Sequence, residues 1–283
     1  MNHTGSNPQN NPQTSTVAII PARFASSRLP RKALLDIDGQ PMILWVIRRT
    51  LEARNVSRVI VATDSHEILE AVINAGYEAE MTDANHNSGT DRIAEVAAKI
   101  DDAGIIVNVQ GDEPLIAPKT IELAVDQMMN EIAHASDVGI VTTWEPIHTL
   151  RELLDSSVVK VVVSDDDTAL YFSRSPMPFP RDATQRHGDP NIALELEPEL
   201  LGNFKKHTGL YVYRRETLLE FTEWPQTKLE QFERLEQLRA LEHGVKIRVI
   251  QASGSSIGVD TPEDLERVRR LVAEEKVTVA HSR

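Results

Sequence analysis

Val17-Ala18-Ile19-Ile20-Pro21-Ala22-Arg23-Phe24-Ala25-Ser26-Ser27-Arg28-Leu29-Pro30-Arg31-Lys32 is an apolar run that passes directly into a basic loop. Residues 17–20 carry no polar side chain, which is the signature of a strand buried on both faces of a sheet. Runs of the same kind recur at 58–62, 105–109 and 138–143. Amphipathic stretches separate them. Pro41 suits a first helical position, and Ile43, Val46, Ile47 and Leu51 follow at the spacing of one helical face. Further helices are predicted near 65–74, 90–100 and 118–131. Strand and helix in alternation predict an α/β fold with a mostly parallel central sheet and helices on both faces.

Beyond residue 150 the grammar changes. Residues 157–163 and 168–173 read as two antiparallel strands joined by the acidic turn 164–167. The stretch 176–203 has little periodicity and is expected to be a surface insertion or mobile flap. A strand at 207–214 follows, then one helix at 229–243. Its apolar stripe is Leu229, Phe232, Leu235, Leu238 and Leu241, with Gly244 as the stop. A last strand and helix close the chain. Residues 1–16 are almost devoid of apolar side chains and read as a disordered tail. One domain is expected over 17–275, with an antiparallel part at roughly 151–225 and a short tail at 276–283.

The chain has 283 residues, 41% of them apolar, enough for a substantial core. Its formal net charge of −13 argues against a non-specific partner in nucleic acid or an anionic membrane. With no cysteine, disulfides, thiol nucleophiles and cysteine-bound metals are excluded. No signal peptide or long apolar span is evident, so a cytoplasmic protein is expected.

Against that acidic background, Arg23, Arg28, Arg31 and Lys32 crowd into ten positions behind the first strand. Ligands of open α/β sheets sit beyond the carboxyl ends of strands, where small residues such as Ala25-Ser26-Ser27 let backbone N–H groups cradle phosphate. Neither a Walker loop nor a dinucleotide fingerprint is present. The run 105–109 ends on Gln110-Gly111-Asp112-Glu113-Pro114, which puts the Asp112 carboxylate at the same end of the sheet. Asp112 there either binds Mg²⁺, which takes one or two carboxylates, or bonds backbone in a tight turn. In Val259-Asp260-Thr261-Pro262-Glu263-Asp264, Thr261 caps a helix, Pro262 opens it and Asp264 completes the capping box. Asp260 is left over as a second candidate ligand. Alternation puts His207, Gly209 and Tyr211 on one face of their strand, with room above Gly209 for a sugar-sized group.

These segments, with Ser88-Gly89-Thr90-Asp91-Arg92, Tyr171-Phe172-Ser173-Arg174 and Leu235-Glu236-Gln237-Leu238-Arg239, resemble in order the 3-deoxy-manno-octulosonate (Kdo) cytidylyltransferases, or CMP-Kdo synthetases. The resemblance runs from about Val17 to Leu271. It implies a Rossmann-like nucleotide-diphospho-sugar transferase fold, CTP and Kdo as substrates, CMP-Kdo and pyrophosphate as products, Mg²⁺, a homodimer and a place in lipopolysaccharide synthesis. By the family pattern, Arg23, Lys32, Asp112 and Asp260 would be catalytic, the two aspartates as metal ligands. Ala22, Arg23, Lys32, Ser88 and Arg92 would hold the nucleotide. Gln110, Arg174, His207, Tyr211, Glu236 and Gln237 would line the sugar pocket, with Arg174 on the sugar carboxylate. Arg31 departs from the pattern, since many relatives carry glycine there. Other readings are a relative acting on 8-amino-Kdo or a sialic acid, a glycosyltransferase using Asp165-Asp166-Asp167, and a nucleotide-binding module without activity.

Overall fold

The computed structural model describes residues 15–24 and 29–281. Ala25, Ser26, Ser27 and Arg28 of the basic loop, and residues 1–14 of the expected tail, lie outside that range. Strand β1 (Thr16–Ala22) opens the fold, one residue earlier than the sequence suggests. Just before it, the Ser15 carbonyl already accepts the N–H groups of Gly104 and Ile105, both at 3.1 Å. A single 3-10 turn (Lys32–Leu34) and the hairpin β2 (Asp36–Ile37) and β3 (Gln40–Pro41) lead into α1 (Met42–Leu51). Pro41 is paired with Asp36 and extended, so it caps α1 instead of entering it.

The chain then runs through β4 (Arg58–Thr63), α2 (His66–Asn74), β5 (Glu78–Met81), α3 (Gly89–Ala98), β6 (Ile105–Asn108), α4 (Pro118–Ala133) and β7 (Val138–Pro146). β6, β1, β4 and β5 lie side by side and parallel. Ala18 and Ile20 face Ile43, Ile47, Val107 and Ile121 on one side of the sheet. Val17 and Ile19 face Ile93, Val96 and Ile106 on the other. Alternate side chains of β1 thus feed two cores, which is why its sequence is apolar without a break. Each such buried side chain contributes roughly 1.5–3 kcal/mol.

The later half supplies α5 (Leu150–Leu154), the hairpin β8 (Lys160–Val163) and β9 (Ala169–Ser173), α6 (Arg181–His187), α7 (Pro190–Leu196) and β10 (Lys205–Arg214). β10 pairs antiparallel with both β6 and β7, and β8 continues from it as the expected antiparallel part. Residues 176–203 are more regular than their sequence suggests. Leu194, Leu201 and Phe204 bury themselves with Ile147 and Leu153 in a small separate core, a tertiary gain invisible to periodicity.

After α8 (Arg215–Glu223) the helix expected at 229–243 is two, α9 (Lys228–Glu233) and α10 (Gln237–Glu242). Arg234 breaks it in the left-handed conformation, φ 56°. Phe232, assigned to the apolar stripe, is 89% exposed. The break lets Arg239 fold back on Glu230, at 2.8 and 2.5 Å, with its guanidinium over the Phe221 ring. β11 (Lys246–Gln251) pairs parallel with β7. α11 (Pro262–His281) then packs Leu265, Val268 and Val272 against Leu29, Ile37 and Met42. It extends through six of the eight residues expected as a tail.

Candidate active site

A cleft of about 520 Å³ opens where β1 and β6 end. Pro21, Ala22 and Arg23 form one wall and Gln110, Gly111 and Asp112 the next. Their close approach depends on Gly111, since a Cβ there would stand 2.7 Å from the Pro21 carbonyl oxygen. Lys32 reaches in from the 3-10 turn. Its ammonium donates to Asp112 Oδ2 at 2.5 Å and to Asp260 Oδ1 at 2.8 Å. Burial works against that charge, but the two carboxylates outweigh it and raise the lysine pKa.

Asp260 arrives there for the reason its sequence suggests. Thr261 and Asp264 form a reciprocal cap, with Asp264 Nα to Thr261 Oγ1 at 3.2 Å and Thr261 Nα to Asp264 Oδ2 at 2.9 Å. The Val259 N–H donates to the Asp112 carbonyl at 2.9 Å, which ties the two acidic segments together. Carboxylates from distant segments thus converge on a single cationic point. That donor set fits Mg²⁺, which needs no more than two carboxylates when phosphate oxygens and water fill its other positions. Among the described residues no group of three or more His, Cys, Asp or Glu side chains offers a fuller cage.

The opposite wall comes from β10 and the α9–α10 break, through Tyr211, Tyr213, Glu236 and Gln237. Burial raises the Glu236 pKa, and a hydrogen bond from Thr90 opposes the rise. Thr90, Asn108 and Tyr213 all line the cleft and were missed from the sequence. Tyr213 continues the alternation of Tyr211 and could have been found by it. Thr90 sits inside a motif already singled out.

Of the expected site residues, Ala22, Arg23, Lys32, Gln110, Asp112, Tyr211, Glu236, Gln237 and Asp260 meet at this cleft. Four others lie behind its walls. Ser88 caps α3. Arg92 is buried and pairs with Asp64 at 2.8 Å. Asp64 in turn accepts the Phe24 N–H at 2.9 Å, so Arg92 braces the basic lip from behind. Arg174 spends its guanidinium on the carbonyls of Glu233 (2.8 Å) and Ser156 (2.9 Å), which leaves it clamping the α9–α10 break where a carboxylate partner was expected. His207 sits beneath Tyr211, ring centres 5.3 Å apart, with Nε2 2.9 Å from Thr142 Oγ1. The Thr142 hydroxyl donates to the Leu210 carbonyl, so Nε2 carries the imidazole proton. Burial pushes the His207 pKa down to about 3.

Asp165-Asp166-Asp167 remains a hairpin turn. Asp166 accepts from Ser164 and Thr168, and Asp167 is left-handed at φ 59°. Local bonding accounts for these residues.

An open α/β sheet with a cationic lip and two converging carboxylates beyond its strand ends suits nucleotidyl transfer, and relatives of the chain place it in that class. A family model described as Cytidylyltransferase matches residues 17–247. The 3-deoxy-manno-octulosonate cytidylyltransferase of Geobacter sulfurreducens is 53% identical over 251 residues, which cover 89% of this chain and 96% of the relative. A solved structure of CMP:2-keto-3-deoxy-manno-octonic acid synthetase complexed with CTP matches with a TM-score of 0.81 at 42% identity, over 92% of this chain and 99% of that one. The 4-diphosphocytidyl-2C-methyl-D-erythritol synthase of Anaerococcus prevotii, at 11% identity and a TM-score of 0.57 over 92% of this chain and 99% of its own, shares the fold alone. The chain belongs to the cytidylyltransferase family, among the 3-deoxy-manno-octulosonate cytidylyltransferases.

Proposed function

We propose that the chain joins CTP to Kdo, giving CMP-Kdo and pyrophosphate. The observation that carries this reading is the meeting of Asp112, Asp260 and Lys32 at one point, beside Arg23 and the ends of β1 and β6. Arg23 and Lys32 hold the triphosphate, whose charge they offset in a protein that is otherwise strongly acidic. Glu236, Gln237 and Gln110 accept and donate hydrogen bonds to the sugar acid across the cleft. Its 2-hydroxyl oxygen bonds to the α-phosphorus in line and gives up its proton to water, the bond from that phosphorus to the bridging oxygen breaks, and pyrophosphate leaves with the electron pair. Asp112 and Asp260 are the residues that would hold Mg²⁺, which when bound would supply charge neutralisation on the phosphates and a lower pKa for the attacking hydroxyl. Positioning and electrostatics carry the remaining barrier reduction, and no protein base is required.

The same reading takes the cytoplasm as the compartment and a homodimer as the working form. Large apolar side chains left exposed on the antiparallel part, among them Leu170, Phe179 and Leu196, suit a second copy of the chain. Pyrophosphate release from CTP, Kdo and Mg²⁺ tests the reaction, with 8-amino-Kdo and a sialic acid run alongside. Kdo is expected to give the highest kcat/KM. Asp112→Asn and Asp260→Asn should each lower it by at least about 10²-fold, since each removes a charge worth several kcal/mol at the transition state. Asp166→Asn should leave it unchanged. Loss in Asp166→Asn alone would move the metal to the hairpin and revive the glycosyltransferase reading.

A further inference from the structure

Asp112 and Asp260 stand on separate segments, and something must fix the distance between them. The 252–261 segment, which delivers Asp260, crosses from β11 to α11 without regular structure. The Ser253 N–H reaches Thr120 Oγ1 at 3.0 Å, and the Ala252 N–H reaches the Trp144 carbonyl at 2.9 Å. Next to Asp260 the Val259 N–H on the Asp112 carbonyl is the backbone fastening, and Ser256, three residues before Val259, supplies a side-chain one. Its hydroxyl donates to Glu113 Oε2 at 2.8 Å, and its N–H donates to Glu145 Oε1 at 3.0 Å. Lys206 pairs with Glu145 at 3.1 Å and with Glu152 at 2.9 Å, so one of the two acceptors is itself neutralised and braced from β10.

Glu113 is the next residue after Asp112. Its backbone N–H closes the turn onto the Gln110 carbonyl at 3.2 Å, and its side chain lies against Gly209. A Cβ at position 209 would come within 3.2 Å of Glu113 Oε1 and 3.0 Å of Gln110 Cγ. The bulge of β10 between Thr208 and Tyr211 therefore leaves a seat that glycine keeps open for this carboxylate. Glu113 does not line the cleft. It links the turn that presents Asp112 to the segment that presents Asp260.

We propose that Glu113 is a positioning residue that, beside the Val259–Asp112 backbone bond, helps to set the separation of Asp112 and Asp260, and through it the affinity of the pair for a divalent cation. This rests on the reading of those two aspartates as the cation's ligands. Groups that orient metal ligands at one remove typically carry 10–100-fold of metal affinity.

The probe is Mn²⁺ titrated into the full-length protein with CTP, read by water-proton relaxation, which reports the protein-bound ion whether or not turnover occurs. Glu113→Ala should weaken Mn²⁺ binding about tenfold. Glu113→Gln, which still accepts from Ser256, should stay within about threefold of the parent. Ser256→Ala should shift affinity in the same direction as Glu113→Ala, and the double variant should be no worse than Glu113→Ala, because both remove one link. A merely structural role for Glu113 would lower the urea midpoint and leave the Mn²⁺ dissociation constant of the folded protein unchanged. That result, or additive effects of the two single variants, overturns the proposal. If Asp112→Asn binds Mn²⁺ like the parent, the metal pair itself is misassigned and the role of Glu113 falls with it.

Discussion

Arg31 occupies a conformation that favours glycine. Its φ of 56° is left-handed, and it is the residue that turns the basic loop into the 3-10 turn carrying Lys32. That geometry suits glycine, the residue the resemblance leads one to expect here. Arg31 offsets the strain with contacts to Glu67 and the Phe24 ring. Replacing it with alanine or glycine removes both contacts, but only glycine relieves the backbone. Arg31→Gly should therefore be more stable than Arg31→Ala by about 0.5–1 kcal/mol in urea unfolding. His207 makes a second prediction at this scale. Burial sets its folded pKa at about 3, below the ordinary 6.5, so the unfolded chain takes up the proton first as pH falls. Its contribution to stability is fully present above about pH 6.5 and drains away as the pH drops toward 3. Replacing His207 with glutamine should flatten the stability curve across that window. In nitrogen-edited NMR the His207 ring of the parent should remain neutral at pH 5, protonated on Nε2.

At the scale of elements, the cleft exists because strand ends come unusually close. β1 and β6 are paired through Ile19 and Asn108, and their following loops then touch at Gly111 and Pro21. Gly111→Ala would push a Cβ against a backbone oxygen that no rotamer can move aside. We expect a loss of about 1–3 kcal/mol in stability, read by thermal unfolding, together with a raised KM for CTP as the lip is displaced. The α9–α10 break is another local device with a distant purpose. The Arg239–Glu230 pair and the Arg174 clamp hold a turn that the apolar stripe alone would not make. Without the turn, Glu236 and Gln237 would continue a single helix and not sit on the cleft wall.

For the whole molecule, the exposed apolar side chains of the antiparallel part predict self-association. Size-exclusion chromatography with light scattering should give twice the chain mass, and Leu196→Asp should shift it toward the monomer. A monomeric parent at micromolar concentration would remove the dimer from the reading.

The sequence by itself determined the layers of the fold. Unbroken apolar runs must be buried on both sides, and spaced ones must form one-sided helices, so 17–20, 58–62 and 105–109 could hardly be other than central parallel strands. It also determined the basic lip, the two acidic segments and the cap that spares Asp260, because turn and cap chemistry is local. What only the tertiary structure decided was which groups meet. Arg92, Arg174 and His207 look like ligands by residue type, yet in the fold Arg92 is buried against Asp64, Arg174 is bonded to the carbonyls of Glu233 and Ser156, and His207 is bonded to Thr142. Residues 176–203 found order through a small core assembled from distant chain. The helix at 229–243 is broken at Arg234, which lets the buried Arg239 reach Glu230 nine residues back. The lip itself became half of a site only when α11 packed against Leu29 and the β2–β3 hairpin and carried Asp260 across 228 residues to Lys32. Such contacts depend on the energy of distant packing, which local periodicity does not record.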